Sequence, residues 1–373
     1  MHTIIYFFLC ISSLPLYSAC SVRVLLEQGD ITQTHEWLFV TPKKSFLCIF
    51  SNGMLSCNGK KVDTTALRIS STDNRCSYQD NVYAGDIALI IADGHFYVIN
   101  TIPLEEYVYS VIRSEGWPGW PLEVNKVFAI MVRTYAVHKI MLSKNGKKRA
   151  RYDIKSTNIH QTYKGVHDLE HLHQAVQETK GLILAYNKQP IVAMYDSCCG
   201  GVIPAQLNGF DFKMHPYLAR AYPCTYCADC KLYRWKSIYS HDALVKMLHV
   251  EFPGLKHIKD IHVLHADKAG KVGQLHVKTT RSNKRISGTI FYRLCKDIKS
   301  FCYTIKKEGS NFIFEGKGFG HHVGVCQWGV RGMVKQGFMY KEILDYYYPG
   351  TKLMKLTTNS KTSASAYSAL AEG

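Results

Sequence analysis

The sequence predicts an α+β fold: a mixed α/β body with a β-rich accessory portion. Three observations carry this. Between residues 21 and 102, short apolar runs are broken by Gly, Asn and Asp, and one of them alternates at Val22, Val24 and Leu26, as half-buried strands do. From 103 to 145 the apolar spacing becomes helical. Beyond a basic, Tyr-containing loop at 146–165, His167–Lys180 reads as a helix stopped by Gly181. Strands then follow at Leu182–Tyr186 and Ile191–Tyr195 around a turn at Asn187–Pro190.

Taken in order, residues 3–17 form an apolar stretch too short and interrupted to span a bilayer, and small residues Ser18, Ala19 and Cys20 follow it. This predicts a secretory signal peptide over 1–20. Leu16-Tyr17-Ser18-Ala19-Cys20 is also similar to a lipoprotein cleavage site, at which Cys20 would be acylated. Tyr17 stands where a small aliphatic residue is usual, so simple secretion ranks first. Residues 21–80 form the β-rich N-terminal portion, with apolar runs at Trp37–Val40 and Phe46–Phe50. Residues 197–235 read as an irregular, cysteine-rich stretch. Helices are expected at Ala243–Val250, 286–299 and 340–348, and strands within 259–279. The Ser/Thr/Ala-rich residues 354–373 read as a disordered tail.

A chain of 373 residues with 46% hydrophobic and 20% charged residues is ordinary for a globular protein, but a formal charge of +17 is not. It favours a polyanionic partner such as an anionic surface or a carboxylated glycan. Nucleic acid is set aside as a partner, because no nucleic-acid motif is present and the basic residues are spread along the chain. Thirteen cysteines are many for a cytosolic protein, and export would allow disulfides.

In the first helix Leu104, Tyr107, Val108, Val111 and Ile112 form a core-facing stripe. Pro103 suits the first helical position, with Glu105 and Glu106 at the positive end of the dipole. Glu115 continues the stripe just before Gly116, a natural helix stop. Desolvation and the negative end of the helix dipole both disfavour its carboxylate form, as a general acid near neutrality requires. Trp117 and Trp120 follow, and indole faces suit the apolar faces of sugar rings. The competing reading is a frayed helix-end acid with core tryptophans. The next helix, Pro121 to Ser143, is apolar nearly all round from Val127 to Val137 and carries Arg133 inside that run. A buried Arg needs an anion or carbonyls. Glu115, Glu123, a substrate carboxylate or a helix terminus could serve, and a structural role ranks ahead of substrate positioning.

Gly316, Gly318 and Gly320 present His321 and His322 at a loop apex, which Gly324, Gln327 and Trp328 continue. The Lys-Ser/Thr ending of a phosphate loop is missing. His321, His322 and Gln327 either hydrogen-bond a polar substrate or close a tight hairpin. Cys224, Cys227 and Cys230 have metal-ligand spacing, but disulfides with Cys198 and Cys199 are favoured over zinc. His167, His171 and His173 read as a solvated helix surface.

Taken together, these segments resemble the SpoIID/LytB family of cell-wall proteins. The resemblance rests on Tyr83-Ala84-Gly85, Asn100 to Ala136, Gln161-Thr162-Tyr163-Lys164-Gly165, Ser197-Cys198-Cys199-Gly200-Gly201 and Gly318 to Thr351. It implies a SpoIID-like catalytic domain over 81–353 and a peptidoglycan lytic transglycosylase that prefers glycan strands stripped of peptides. The family's catalytic acid falls on Glu115. It would protonate the oxygen leaving N-acetylmuramic acid, then accept the proton of that sugar's own 6-hydroxyl as a 1,6-anhydro ring closes. The internal nucleophile lets one carboxyl group do both jobs, unlike the two-carboxylate glycosidases. Trp117, Trp120, Arg133, Gln161, Tyr163, His321, His322 and Gln327 would line the groove. Some relatives instead enhance a separate N-acetylmuramoyl-L-alanine amidase, which is the alternative function and partner. Sporulation members bind zinc through a His-Cys pair before the Gln-x-Tyr motif. This chain has Ile159-His160 there, so no metal or other cofactor is carried over. The usual Met-Ser before Gln327 is Val325-Cys326 here, with Cys326 either a free thiol near the site or a small buried residue. The expected location is the periplasm or cell envelope.

Overall fold

The computed structural model describes residues 20–356, apart from 64, 72, 118, 146–149, 158–159 and 281. The expected signal peptide, up to residue 19, and the tail from 357 lie outside the described residues. The chain forms two compact units: residues up to 192 together with those from 352, and residues 193–351.

In the first unit a five-stranded sheet runs in the order Ile154–Lys155, Ser21–Asp30, His95–Pro103, Asp86–Ala92, Ala66–Ile69. Ser21–Asp30 lies antiparallel to His95–Pro103, with an irregularity between Leu25 and Glu27. The expected alternation therefore holds only through Val22 and Val24, because the bulge turns Leu25 rather than Leu26 into the core. A second, six-stranded sheet is ordered Lys60–Lys61, Met54–Cys57, Ser45–Ser51, His35–Val40, Arg75–Tyr78, Asn81–Ala84.

His95–Pro103 feeds directly into helix α1, Leu104–Glu115. Pro103 is extended and caps this helix rather than opening it, and the Leu104 amide donates to the Cys20 carbonyl at 2.8 Å. The predicted stripe of Leu104, Tyr107, Val108, Val111 and Ile112 is buried. Each of the Val and Ile side chains contributes roughly 1.5–3 kcal/mol by leaving water. Helix α2, Leu122–Asn145, is central, with Val124 and the run from Val127 to Val132 buried on every side. Helix α3, Glu170–Glu178, buries Leu172, Ala175 and Val176. The strand Leu182–Tyr186 pairs with Gln189–Pro190 on one side and Lys352–Lys355 on the other. Regular pairing thus passes the expected end of the body at 353. The strand expected at Ile191–Tyr195 is only the short Tyr195–Asp196, although the Ile191 amide still donates to the Leu184 carbonyl at 3.2 Å.

The second unit carries two three-stranded antiparallel sheets: Arg234–Ser240, Asn311–Lys317, Tyr303–Glu308, and Ile258–Ala266, Val272–Thr279, Asn283–Ser287. With helices α4, His241–Leu248, and α5, Gly288–Leu294, they enclose a core that includes Trp235, Tyr239, Leu244, Phe291, Phe312 and Phe314. Helix α5 is shorter than the expected 286–299: Ser287 caps its start by accepting the Ile290 amide, and it ends at Leu294. Tyr195–Asp196 runs parallel to Val325–Cys326, which leads into helix α6, Gln327–Lys335. Gln327 and Trp328 therefore open a helix instead of continuing a loop. Helix α7, Tyr340–Tyr347, follows. Among the described residues no helix is long and apolar enough to cross a membrane.

Candidate active site

Glu115 is the last residue of α1, half-buried, and its Oε1 accepts the backbone amide of Thr162. Gly116 ends the helix for a reason other than a left-handed turn: its φ is −108°, and a Cβ there would lie 2.8 Å from the Ile112 carbonyl and 3.1 Å from the Phe128 ring. Only a residue without a Cβ fits in this extended conformation, and the chain leaves the helix there with Glu115 at its rim. Trp117 is 53% exposed and stacks on Trp120 at 6.0 Å between centroids; Trp120 in turn stacks on Phe128 at 6.3 Å. One indole is thus anchored to α2, and the other offers much of its surface to solvent.

The Gln161-Thr162-Tyr163-Lys164-Gly165 segment is fastened beside α1. The Ser110 hydroxyl donates to the Gly165 carbonyl, and the Tyr163 hydroxyl donates to Asn100 Oδ1 at 2.7 Å. The Tyr107 hydroxyl donates to Gln161 Oε1 at 2.9 Å. Burial first, and then the charge of Glu115, pushes the Tyr107 phenol well up, so Tyr107 stays a hydrogen-bond donor. Gln161 is fully buried, and its Nε2 meets no acceptor among the described residues. Tyr163 is also buried and packs on the Tyr83 and Tyr107 rings. Gln161 and Tyr163 therefore shape the wall on which Thr162 meets Glu115.

Arg133 is fully buried and meets neither Glu115 nor Glu123. Its Nε and Nη2 fork onto the Glu105 carboxylate, with Nη2 2.6 Å from Oε2, and its Nη1 donates to the Leu182 carbonyl at 3.1 Å. Glu105 Oε1 also accepts the Gly181 amide at 3.1 Å. The arginine ties α1, α2 and the strand after α3 together. His160 Nδ1 accepts the Lys155 amide at 3.0 Å, and burial followed by Lys139 and Lys155 holds the imidazole below its ordinary value. With that nitrogen occupied, and with no group of three or more ligating side chains that includes His160 among the described residues, the position does not fit a zinc ion. A cavity of about 750 Å³ opens beside it, lined in part by Tyr97, Lys139, Arg151 and Tyr152 but not by Glu115.

The Gly-His-His segment belongs to the second unit. His322 has a φ of +68°, a conformation few side chains accept, and is held there by its amide donating to Asp196 Oδ2 at 2.6 Å. Its Nδ1 lies 3.1 Å from the Cys199 carbonyl, its Nε2 is buried without a partner among the described residues, and burial pushes the ring down to about 4. Asp196 is itself driven up by burial, so the pair favours neutral forms. His321 is half-buried, accepts the Val323 amide at 3.1 Å and is likewise pushed down to about 4, chiefly by burial. Gln327 is largely buried at the start of α6. The left-handed Gly324 packs so close to the Met194 carbonyl that any Cβ would strike it. Of this group, His321 retains more exposure than His322 or Gln327.

None of the twelve cysteines among the described residues is in a disulfide. Cys199, Cys224 and Cys227 converge with Cys326, all four buried. The sequence had linked Cys198 and Cys199 to the triplet but left Cys326 apart, because its partners lie about a hundred residues or more away along the chain.

Comparison with known proteins finds similarity to a stage II sporulation protein family over residues 92–186 and to a domain of unknown function over 225–324. The chain is 31% identical to an uncharacterized protein of Brachyspira hyodysenteriae over 73% of its own length and 72% of that protein. It is 27% identical to the stage II sporulation protein D of Bacillus subtilis, covering 68% of this chain and 75% of the relative. It is 26% identical to the amidase enhancer of Bacillus subtilis over 81% of this chain, which spans about half (49%) of that protein's length.

Proposed function

Because this chain belongs to the stage II sporulation protein D (SpoIID/LytB) family of cell-wall proteins, we propose that it is an exported lytic transglycosylase of peptidoglycan glycan strands, with Glu115 as both acid and base. The observation that carries the reading is the carboxyl group held at the rim of α1, steadied by the Thr162 amide and followed by an exposed indole stacked on a second one. As the bond from muramic acid C1 to the leaving oxygen breaks, Glu115 gives that oxygen its proton. The 6-hydroxyl oxygen closes on C1, and its proton returns to Glu115. No water enters, and the acid is regenerated. Trp117 and Trp120 supply apolar faces for sugar rings. A stripped strand carries a lactyl carboxylate on every second sugar, which complements a chain of charge +17.

The test is mass spectrometry of products from stripped glycan strands. Wild type should release 1,6-anhydro-ended fragments, and Glu115→Gln should lower their rate by at least about a hundredfold. Equal release by both proteins would remove Glu115 from the chemistry. The second reading, a non-catalytic strand-binding enhancer of a cell-wall amidase, draws on the similarity to the amidase enhancer over 81% of the chain. It expects strand binding without fragments from either protein, together with stimulation of an added amidase.

A further inference from the structure

Four cysteine sulfurs meet in the second unit at a point the proposed chemistry does not use. Cys199, Cys224, Cys227 and Cys326 are buried, and their Sγ atoms all lie within 4.8 Å of one another. They come from three separate stretches: the segment before Gly200-Gly201, the Cys-x-x-Cys turn, and the residue that caps α6. We propose that these four cysteines bind a soft divalent metal ion, zinc or ferrous iron, as a tetrahedral tetrathiolate centre that braces the Gly-His-His segment.

The geometry favours a metal over sulfur–sulfur bonds. A zinc–sulfur length of about 2.3 Å makes the edge of a thiolate tetrahedron about 3.8 Å. Cys199 Sγ and Cys227 Sγ are 3.7 Å apart, whereas a disulfide needs about 2.05 Å. The sulfurs also receive donors, as coordinated thiolates do. The Cys199 amide reaches Cys326 Sγ at 3.2 Å, the Gly329 amide reaches the same sulfur at 3.3 Å, and the Tyr347 hydroxyl lies 3.1 Å from Cys224 Sγ. Gly329 leaves room for the cluster, since a Cβ there would come within 2.8 Å of Cys224 Sγ.

Charge gives an independent argument. Arg220 is 1% exposed, its Nη atoms donate to the Tyr222 and Val202 carbonyls, and no carboxylate lies within ion-pair distance among the described residues. A buried cation without a counter-charge is costly. A divalent ion with four thiolates carries two net negative charges, and Arg220 stands 5.7 Å from the centroid of Tyr347, the ring whose hydroxyl meets Cys224. The centre would add negative charge beside Arg220, whose field otherwise falls on the buried Asp196 carboxyl.

The centre also reaches the Gly-His-His loop of this unit by direct contact. The Cys199 carbonyl holds His322 Nδ1, and Cys326 immediately precedes Gln327. Tyr346 and Tyr348 donate to the Pro223 and Met194 carbonyls, so the Tyr-Tyr-Tyr stretch locks the same region from the other side. Cys198 also touches Cys227, Cys230 and Cys326, but it and Cys230 fall outside the set whose sulfurs all lie within 4.8 Å of one another. The inference is independent of whether Glu115 catalyses.

The test uses the full chain, purified without chelator and analysed for zinc and iron. About one ion per chain is expected, released on denaturation. Cys326→Ser keeps an oxygen to cap α6, so the helix start survives while one ligand goes; it should lose the ion, whereas Cys230→Ser should keep it. Cobalt(II) added to the stripped, reduced chain should give the intense visible absorption of a tetrahedral thiolate site. Disulfides mapped among the four positions, a reduced chain that takes up neither zinc nor cobalt, or full metal content in Cys326→Ser would each overturn the proposal.

Discussion

The Arg133 guanidinium and the Glu105 carboxylate form a forked pair, 2.6 Å at its closest, that also collects the Gly181 amide and the Leu182 carbonyl. Periodicity had placed a charge inside α2 without naming its partner. Removing the guanidinium while keeping an apolar side chain, as in Arg133→Leu, leaves Glu105 facing a buried amide and a vacated site. Such a variant should lose about 3 kcal/mol of stability. Urea unfolding would read this as a lower midpoint at unchanged slope, and an unchanged midpoint would refute the pair's structural role.

Tyr163 is a candidate groove residue whose hydroxyl is spent on Asn100. Tyr163→Phe strands a buried acceptor and should cost about 1–2 kcal/mol. Since the ring is buried, affinity for glycan strands should stay within about twofold of wild type. A large loss of binding with full stability would instead place the phenol in the groove.

Trp117 is the reverse case. At 53% exposure it contributes little to the core, so Trp117→Ala should alter stability by no more than about 0.5 kcal/mol. The lost indole face should weaken strand binding roughly tenfold. Equilibrium binding of stripped strands to a Glu115→Gln background separates this effect from turnover, and unaltered binding would discard the sugar-platform role.

His321 is pushed down to about 4, chiefly by burial, from an ordinary value near 6.5. The unfolded chain therefore binds a proton in that window that the folded chain does not, and stability falls as pH drops from about 6.5 towards 4. Replacing the ring by Phe removes this contribution. Wild type should lose more unfolding free energy across the window than His321→Phe, by on the order of 1 kcal/mol. Parallel pH curves for the two proteins would contradict a neutral, desolvated imidazole.

The helices of the first unit were legible because their signals are local. The stripe of α1, the all-apolar run of α2 and the stop after Glu115 can be read within windows of a dozen residues. The bulge at Leu25 was not, since it depends on which partner strand crosses at His95–Pro103. Helix α6 was missed because its first residues belong to a glycine-rich stretch, and its cap is a cysteine rather than Ser, Thr, Asp or Asn. The candidate site divides in the same way. Glu115 followed from a charge out of place on an apolar stripe, whereas the partners of Arg133, Tyr163 and Cys326 sit 28 to 127 residues away in sequence. Spacing along the chain cannot pair residues across such distances.

The strand Lys352–Lys355 closes onto Leu182–Tyr186 after an excursion that contains the whole second unit. On a ribosome, Leu182–Tyr186 emerges long before its outer neighbour is made. Until then one edge of that small sheet has unpaired amides and carbonyls, open to wrong partners. Completion of the first unit therefore waits until the whole second unit has been translated. Chains cut short before residue 352 should retain that open edge and aggregate, however well their helices have formed.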